Sequence, residues 1–332
     1  MPDRGATDGD APDRDTPGRD AETILFGALS LDIYTGRDLV LPGGGVLNMA
    51  WAWRRIAFPS RLLTRIGSDR PGVFLEFLDR HGIPYVRGSI VGAGASASID
   101  IVIRPDRQPS MDHFVEGVWA GLRLTAEEEQ AVAGARRLHA VLVEGVAAEI
   151  HRLGDAGRLD HLAVSADFLG FRHYTVERFA RTMRHVDIGF VGWPGEPGDP
   201  TVAGIRDVAF TLGKLVVVTL GSQGVIVFDG RDAPVERTIP VAAIAVAGTT
   251  VGCGDAFIAA FLAATWRGTG VLAAVEAGKL AGAEATAWRR PLPDAAYGPA
   301  AAEALRLADE EAQEDEHESA DGDAAADPRL TA

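Results

Sequence analysis

The chain predicts an α/β fold, a parallel sheet core flanked by helices with a small β-sheet lid. Three observations carry that prediction. Apolar strand-like runs alternate with helical patterns over the first 85 residues and again from Arg136 onward, the rhythm of parallel strands joined by crossover helices. The rhythm breaks once, between residues 94 and 118, where the pattern is that of a hairpin. Hydrophobic residues make up 47% of 332, enough for a sizeable core in one large domain or two smaller ones.

The elements follow in order. "TILFGALSLDIY" (23–34) reads as one buried strand ending at Asp32, and "LPGGGVLNMAWAWRRIA" (41–57) as a glycine turn opening into a helix. "SRLLTRIGSD" (60–69) is a second strand with a polar end. "GVFLEFLDRHGI" (72–83) has helical apolar spacing and stops at His-Gly. Within 94–118 small, apolar and polar residues alternate about a turn, "RPDRQP". "LHAVLVEGV", "HLAVSADF" and "VDIGFVG" are then short strands. "LVVVTLGSQGVIVFDG" (215–230) is two strands joined by Gly-Ser-Gln-Gly. Ala-rich helices run to about residue 308, without an internal repeat.

The formal net charge of -15 sits mostly at the two ends. Residues 1–22 hold seven acids against three arginines, and residues 309–332 ten acids against one. Both segments are poor in large apolar residues, so they are expected to be disordered tails around a folded body at 23–308. That body is nearly neutral, which gives no reason to expect nucleic acid as a partner. A single cysteine, Cys253, excludes an intrachain disulfide and suits a reducing cytoplasm. The first residues lack the apolar stretch of a signal peptide, and no apolar run is long enough to span a bilayer. The eight histidines do not pair at metal-ligand spacing.

Chemistry concentrates in "VAGTTVGCGDAFIAAF" (246–261). Gly252, Cys253 and Gly254 precede a buried helix, where free amides and the positive dipole end can receive an anion. Asp255 beside them suits a general base; the same pattern also fits an N-cap Asp with glycines shaping the turn. In "GGGVLNMA" (43–50), Gly43 and Gly44 would let a ligand reach the backbone and Asn48 offers a donor and an acceptor to a polyol. A tight β–α turn explains the same residues. Asp32 is read at a strand's carboxyl end, where α/β sheets bind ligands, or as a solvated acid. Thr219, Gly221 and Gly224 form a turn after a buried strand that would cradle a nucleotide or simply close a hairpin.

In order and spacing these motifs resemble the ribokinase-like (PfkB) carbohydrate kinases. The 43–83 stretch is similar to the N-terminal Gly-Gly-x3-Asn signature, "TTVGCGDAFIAAF" to the C-terminal signature around Gly-Ala-Gly-Asp, and "VVVTLGSQG" to the nucleotide strand and turn. The resemblance spans roughly residues 23–295 and makes 33–42 and 94–118 the lid segments. It implies transfer of the ATP γ-phosphate to a hydroxyl. Asp255 would be the base, and the backbone of Gly252, Cys253 and Gly254 the anion hole. Asp32, Gly43, Gly44 and Asn48 would hold the sugar, and Thr219, Gly221 and Gly224 the nucleotide. It also implies Mg2+, in many members a monovalent cation, and a homodimer through the lid sheets.

The chain departs from the family pattern at several places. Thr249 stands where Asp is usual at the start of the second signature. In "GWPGEPGD" Trp193 replaces the Asn of the magnesium–phosphate motif and Glu196 keeps its Glu place. Only Asp167 remains of an Asp-x-Asn-x-Arg motif near "SADFLGFR", and eleven positions separate Asp32 from Gly43, a short first lid segment. The expected acceptor is a small sugar or derivative, with fructose, fructosamine-type adducts and ribose in view; the short lid and "GCGD" lean towards the fructose types. The alternatives are a nucleoside kinase of the same fold and a sugar- or nucleotide-binding protein with weak catalysis. A dinucleotide oxidoreductase fails for want of Gly-x-Gly-x-x-Gly.

Overall fold

The computed structural model describes residues 22–35, 39–86, 90–104, 107–171, 174–299, 301–303, 305, 306 and 309. The predicted acidic tails lie outside these residues except at their inner ends. There Glu22 pairs with Arg61 at 2.9 Å, and buried Asp309 accepts from the Arg290 guanidinium at 2.9 and 3.1 Å.

The chain opens with β1 (Thr23–Phe26), then β2 (Ser30–Tyr34), β3 (Leu39–Gly43) and α1 (Gly45–Arg55). The single strand expected over 23–34 is thus two strands in two different sheets. The reason is Gly27, on which α1 packs so closely that a Cβ would sit 2.7 Å from Val46 Cγ1. The backbone turns there and leaves the core sheet. Asp32 consequently lies in the middle of β2, not at the end of a core strand. The first lid segment also begins earlier than expected, at Ser30, and its residues 36–38 are outside those described.

Strand β4 (Ser60–Leu63) returns beside β1. The run to residue 69 is split, because β5 (Ile66–Gly67) forms a separate ladder with β6 (Val91–Gly92) across α2 (Pro71–His81). Helix α2 ends as predicted, on Gly82 in the left-handed region at φ 57. The hairpin is present as β7 (Ala97–Ile103) and β8 (Pro109–Val115), and its β7 pairs with β2 to complete a four-stranded lid sheet.

The α/β rhythm then resumes with α3 (Ala126–Ala133), β9 (Arg137–Val141), α4 (Glu144–Asp155) and β10 (Ala163–Asp167). It continues through α5 (Val176–Met183), β11 (Ile188–Gly192), α6 (Pro200–Leu212) and β12 (Leu215–Thr219). The last strands are β13 (Val225–Asp229) and β14 (Val235–Ile239), followed by α7 (Cys253–Trp266) and α8 (Val271–Ala285). The core sheet runs β14-β13-β12-β11-β10-β9-β1-β4. It is parallel from β12 to β4, and antiparallel only where the short Gly-Ser-Gln-Gly turn forces β13, and then β14, to double back.

Alternation along each strand assigns the two faces of this sheet. Leu25, Phe190 and Val217 join α1 and α7 in one core, with Trp53 and Phe261. Ile24, Phe26, Val216 and Val218 join α4, α5 and α6 in the other, with Ile150, Phe179 and Ile205. Helices α1 and α7 are locked side by side at Trp53. Its indole N–H donates to Ala259 O at 2.8 Å, and its ring lies 4.8 Å from Phe58 and 6.0 Å from Trp266. Trp53→Ala is expected to lose about 3–5 kcal/mol of stability, read from urea unfolding, and Trp53→Phe distinctly less. A loss below about 1 kcal/mol for the alanine variant would mean that α1 and α7 are held elsewhere.

Candidate active site

Two helix N-termini meet where the lid sheet joins the core. Helix α1 starts from Gly44 at φ 103 and α7 from Gly252 at φ 78, conformations that favour glycine, and neither has a side-chain cap. Helices α3, α5 and α6 are capped by their own Thr125, Thr175 and Asp199. The difference matters chemically, because a side-chain cap consumes first-turn amides that a ligand would otherwise meet. Among the described residues the amides of Gly254 and Asp255 have no protein acceptor, and a Cβ on Gly254 would meet open space. The Cys253 amide is different, since it reaches Thr250 O at 3.3 Å.

At their N-terminal ends the two helices are joined by a hydrogen bond from Asn48 Nδ2 to Asp255 Oδ2 at 2.7 Å. Asn48 Oδ1 is buried without a partner, leaving an acceptor for an incoming hydroxyl. The glycine run explains itself in the same place. A Cβ on Gly43 would fall 2.1 Å from the Asp32 carboxyl, and one on Gly45 2.8 Å from Asp255 Oδ1. Gly43 and Gly45 thus make room for two carboxylates, while Gly44 turns the chain under Ala28 O.

Buried Asp32 and Asp167 form a carboxyl cluster with half-buried Asp255, whose charge both feel. Asp32 Oδ1 accepts from Ser30 Oγ at 2.8 Å, and Asp167 Oδ1 from the Leu169 amide at 2.8 Å. Burial raises Asp255 to about 6 against the pull of the Asn48 bond. Burial, with repulsion from Asp255 added, raises Asp32 and Asp167 each to about 7. Burial and the same Asp255 charge push the Cys253 thiol up to about 12, so Cys253 fills space and is no nucleophile at neutral pH.

Asp167 and Gly45 are the residues that the motif reading left out of the site. The signal for Asp167 was its place at the C-terminal end of a parallel strand. For Gly45 it was the third glycine before a helix.

The turn at 219–224, expected to meet a nucleotide, lies along the same sheet edge. Thr219 ends β12 and its carbonyl accepts from the Trp193 amide at 2.9 Å. Gly221 (φ 58) faces open space, and Gly224 (φ 113) lies so close to β14 that a Cβ would sit 2.6 Å from Ile239 O. Glu196 is exposed on the turn after β11, three residues beyond Trp193, and stands outside the carboxyl cluster. Among the described residues no group of three or more His, Cys, Asp and Glu side chains could hold a metal ion. Thr249 is fully buried; its hydroxyl donates to Arg107 O at 3.2 Å and accepts from the Val251 amide at 3.3 Å.

The carboxyl cluster has a consequence for stability. The folded chain keeps protons on these groups at pH values where the unfolded chain has released them, so their contribution falls as pH rises through about 6 to 7. Asp32→Asn is therefore expected to raise Tm by roughly 2–4 °C at pH 8 and to change it little at pH 4. Calorimetry at both pH values checks this, and an equal shift at both would point to packing and not charge.

Known kinases resemble the chain in sequence and fold. Residues 189–288 match the model of the pfkB family carbohydrate kinases. The fructoselysine 6-kinase of Escherichia coli is 27% identical over 233 residues, 70% of this chain and 84% of that protein. The cytidine kinase of Thermococcus kodakarensis is 27% identical over 262 residues, 74% and 89% of the two chains. The fold is that of Arabidopsis thaliana ribokinase, solved with ribose and ATP, at a TM-score of 0.65 and 19% identity over 87% of this chain and 98% of that one. No helix among the described residues is long and apolar enough to cross a membrane. The chain thus has the ribokinase fold, and its residues 189–288 are similar to the pfkB family of carbohydrate kinases.

Proposed function

We propose that the chain transfers the γ-phosphoryl group of ATP to a hydroxyl of a small sugar or sugar derivative, with Asp255 as the general base. The observation that carries this reading is the Asn48–Asp255 bond between two glycine-capped helix N-termini. The bond fixes one carboxylate oxygen and leaves Oδ1 to take a proton from an acceptor hydroxyl. Asp32 and the unpartnered Asn48 Oδ1 would hold neighbouring hydroxyls, with Gly43 and Gly44 letting the sugar approach the backbone. The first-turn amides from Gly252 to Gly254 would stabilise charge on the phosphoryl group in flight; the Cys253 amide has first to release Thr250 O.

Thr219, Gly221 and Gly224 would line the nucleotide. Magnesium usually takes one or two protein carboxylates together with phosphates, so a lone exposed Glu196 on that rim is an adequate donor. When bound, the ion neutralises phosphate charge and orients the γ-phosphate.

One observation favours a second reading, a nucleoside acceptor. Strand pairing sets Ile99 and Leu41 opposite Asp32, and Ile101 opposite Tyr34, so apolar side chains share the lid face with the acceptor carboxylate. Leu41 and Ile101 are buried in the core, and the partly open Ile99 among them suits an acceptor with an apolar or planar part. The fructoselysine and cytidine kinases among the relatives bracket the choice.

ADP release from Mg-ATP across sugars, fructosamines and nucleosides tests the reading. The expected result is stimulation by one acceptor class, lowered about 10²–10⁴-fold in kcat by Asp255→Asn while ATP binding persists. Unchanged kcat in that variant would remove Asp255 from the base role. Binding of acceptor and ATP without transfer would instead identify a binding protein with weak catalysis.

The base must also be ionised to act. kcat is expected to fall about tenfold per pH unit below about 6 and to level off above it. A profile flat from pH 5 to 8 would contradict a base at that position.

A further inference from the structure

The lid hairpin touches the loop before α7 at its tip, 142 residues away in sequence. Arg107 O accepts from Thr249 Oγ1 at 3.2 Å, Gln108 Oε1 accepts from Thr250 Oγ1 at 2.9 Å, and the Arg107 guanidinium donates to Ala247 O. These bonds lie five to eight residues before Asp255. Thr249 in turn orders the loop from within: its hydroxyl also receives the Val251 amide, and its own amide donates to Trp288 O at 2.8 Å.

The rest of the hairpin offers the tip little other support. Every residue of β8 from Met111 to Val115 is exposed. Its feet are glycines in the left-handed region, Gly94 at φ 123 and Gly117 at φ 53. The outer strand β8, held along its length only through β7, is placed at its far end by the bonds the tip makes there.

We propose that Gln108 and the Arg107 carbonyl are positioning residues for phosphoryl transfer, holding Thr249 and Thr250, and through them the Gly252–Asp255 turn, in the geometry described above. The inference rests on the kinase reading for its catalytic consequence, but the physical link does not. Because β7 pairs directly with β2, which carries Asp32, the same hairpin that faces the acceptor also braces the loop that faces phosphate. The unusual threonine at 249 then has a task suited to it, since a hydroxyl can donate to a lid carbonyl and a carboxylate cannot.

The test uses the full chain with Gln108→Ala, Thr250→Val, the double variant, and Val102→Thr as a hairpin control remote from the tip. Amide hydrogen exchange over residues 249–255, without ligands, reads the link directly. Each single tip variant is expected to speed exchange roughly 3- to 10-fold, the worth of one hydrogen bond, with the double variant no faster than either and the control unchanged. Exchange unaltered by Gln108→Ala, or additive in the double variant, overturns the proposal. Turnover adds the catalytic arm: kcat about tenfold lower in Gln108→Ala with Mg-ATP affinity unchanged supports positioning, whereas unchanged kcat overturns it. A wild-type chain that transfers no phosphoryl group to any acceptor would defeat the kinase reading while the exchange result still decides the link.

Discussion

The Asn48–Asp255 hydrogen bond is the contact on which the architecture of the site depends. It ties the first turn of α1 to the first turn of α7, 207 residues apart in sequence, and so brings two uncapped helix ends to one point. Behind it, Trp53 clamps the same two helices through Ala259. The front contact leaves an acceptor open; the rear contact is a satisfied hydrogen bond closed off inside an aromatic cluster. A site built this way is rigid where it must hold geometry and unsatisfied where it must meet a ligand.

Glycines and carboxylates are matched one to one around that bond. Gly43 yields space to Asp32 and Gly45 to Asp255, so the glycine run is shaped by two acids as much as by backbone turning. The acids are close enough to resist one another, and burial removes the water that would screen them. The folded chain carries this electrostatic tension at a place where hydroxyl donors would relieve it. Helices α3, α5 and α6 show the contrast: they satisfy their own amides with Thr125, Thr175 and Asp199.

Much of this was legible in the chain itself. Short apolar runs identify β9 to β13, and the Arg-Pro-Asp-Arg-Gln-Pro turn identifies the hairpin, because local backbone chemistry decides both. The helix starts at Gly44 and Gly252 were readable for the same reason. The break at Gly27 was not, since it follows from the approach of Val46 on a helix not yet placed. Asp167 was visible only as a remnant of a motif, and its nearness to Asp255 is a product of strand order.

The sequence by itself determined the alternation of strands and helices, the glycine-led helix ends and the identity of the acid at 255. These depend on residues within one turn or one strand of each other. Only the tertiary structure decided that Asp32 belongs to the lid, that Asp167 joins the carboxyl cluster, and that the hairpin tip reaches Thr249 and Thr250. Those outcomes depend on sheet order and on side chains more than a hundred residues apart. Local propensity carries no information about such distances; packing alone sets them.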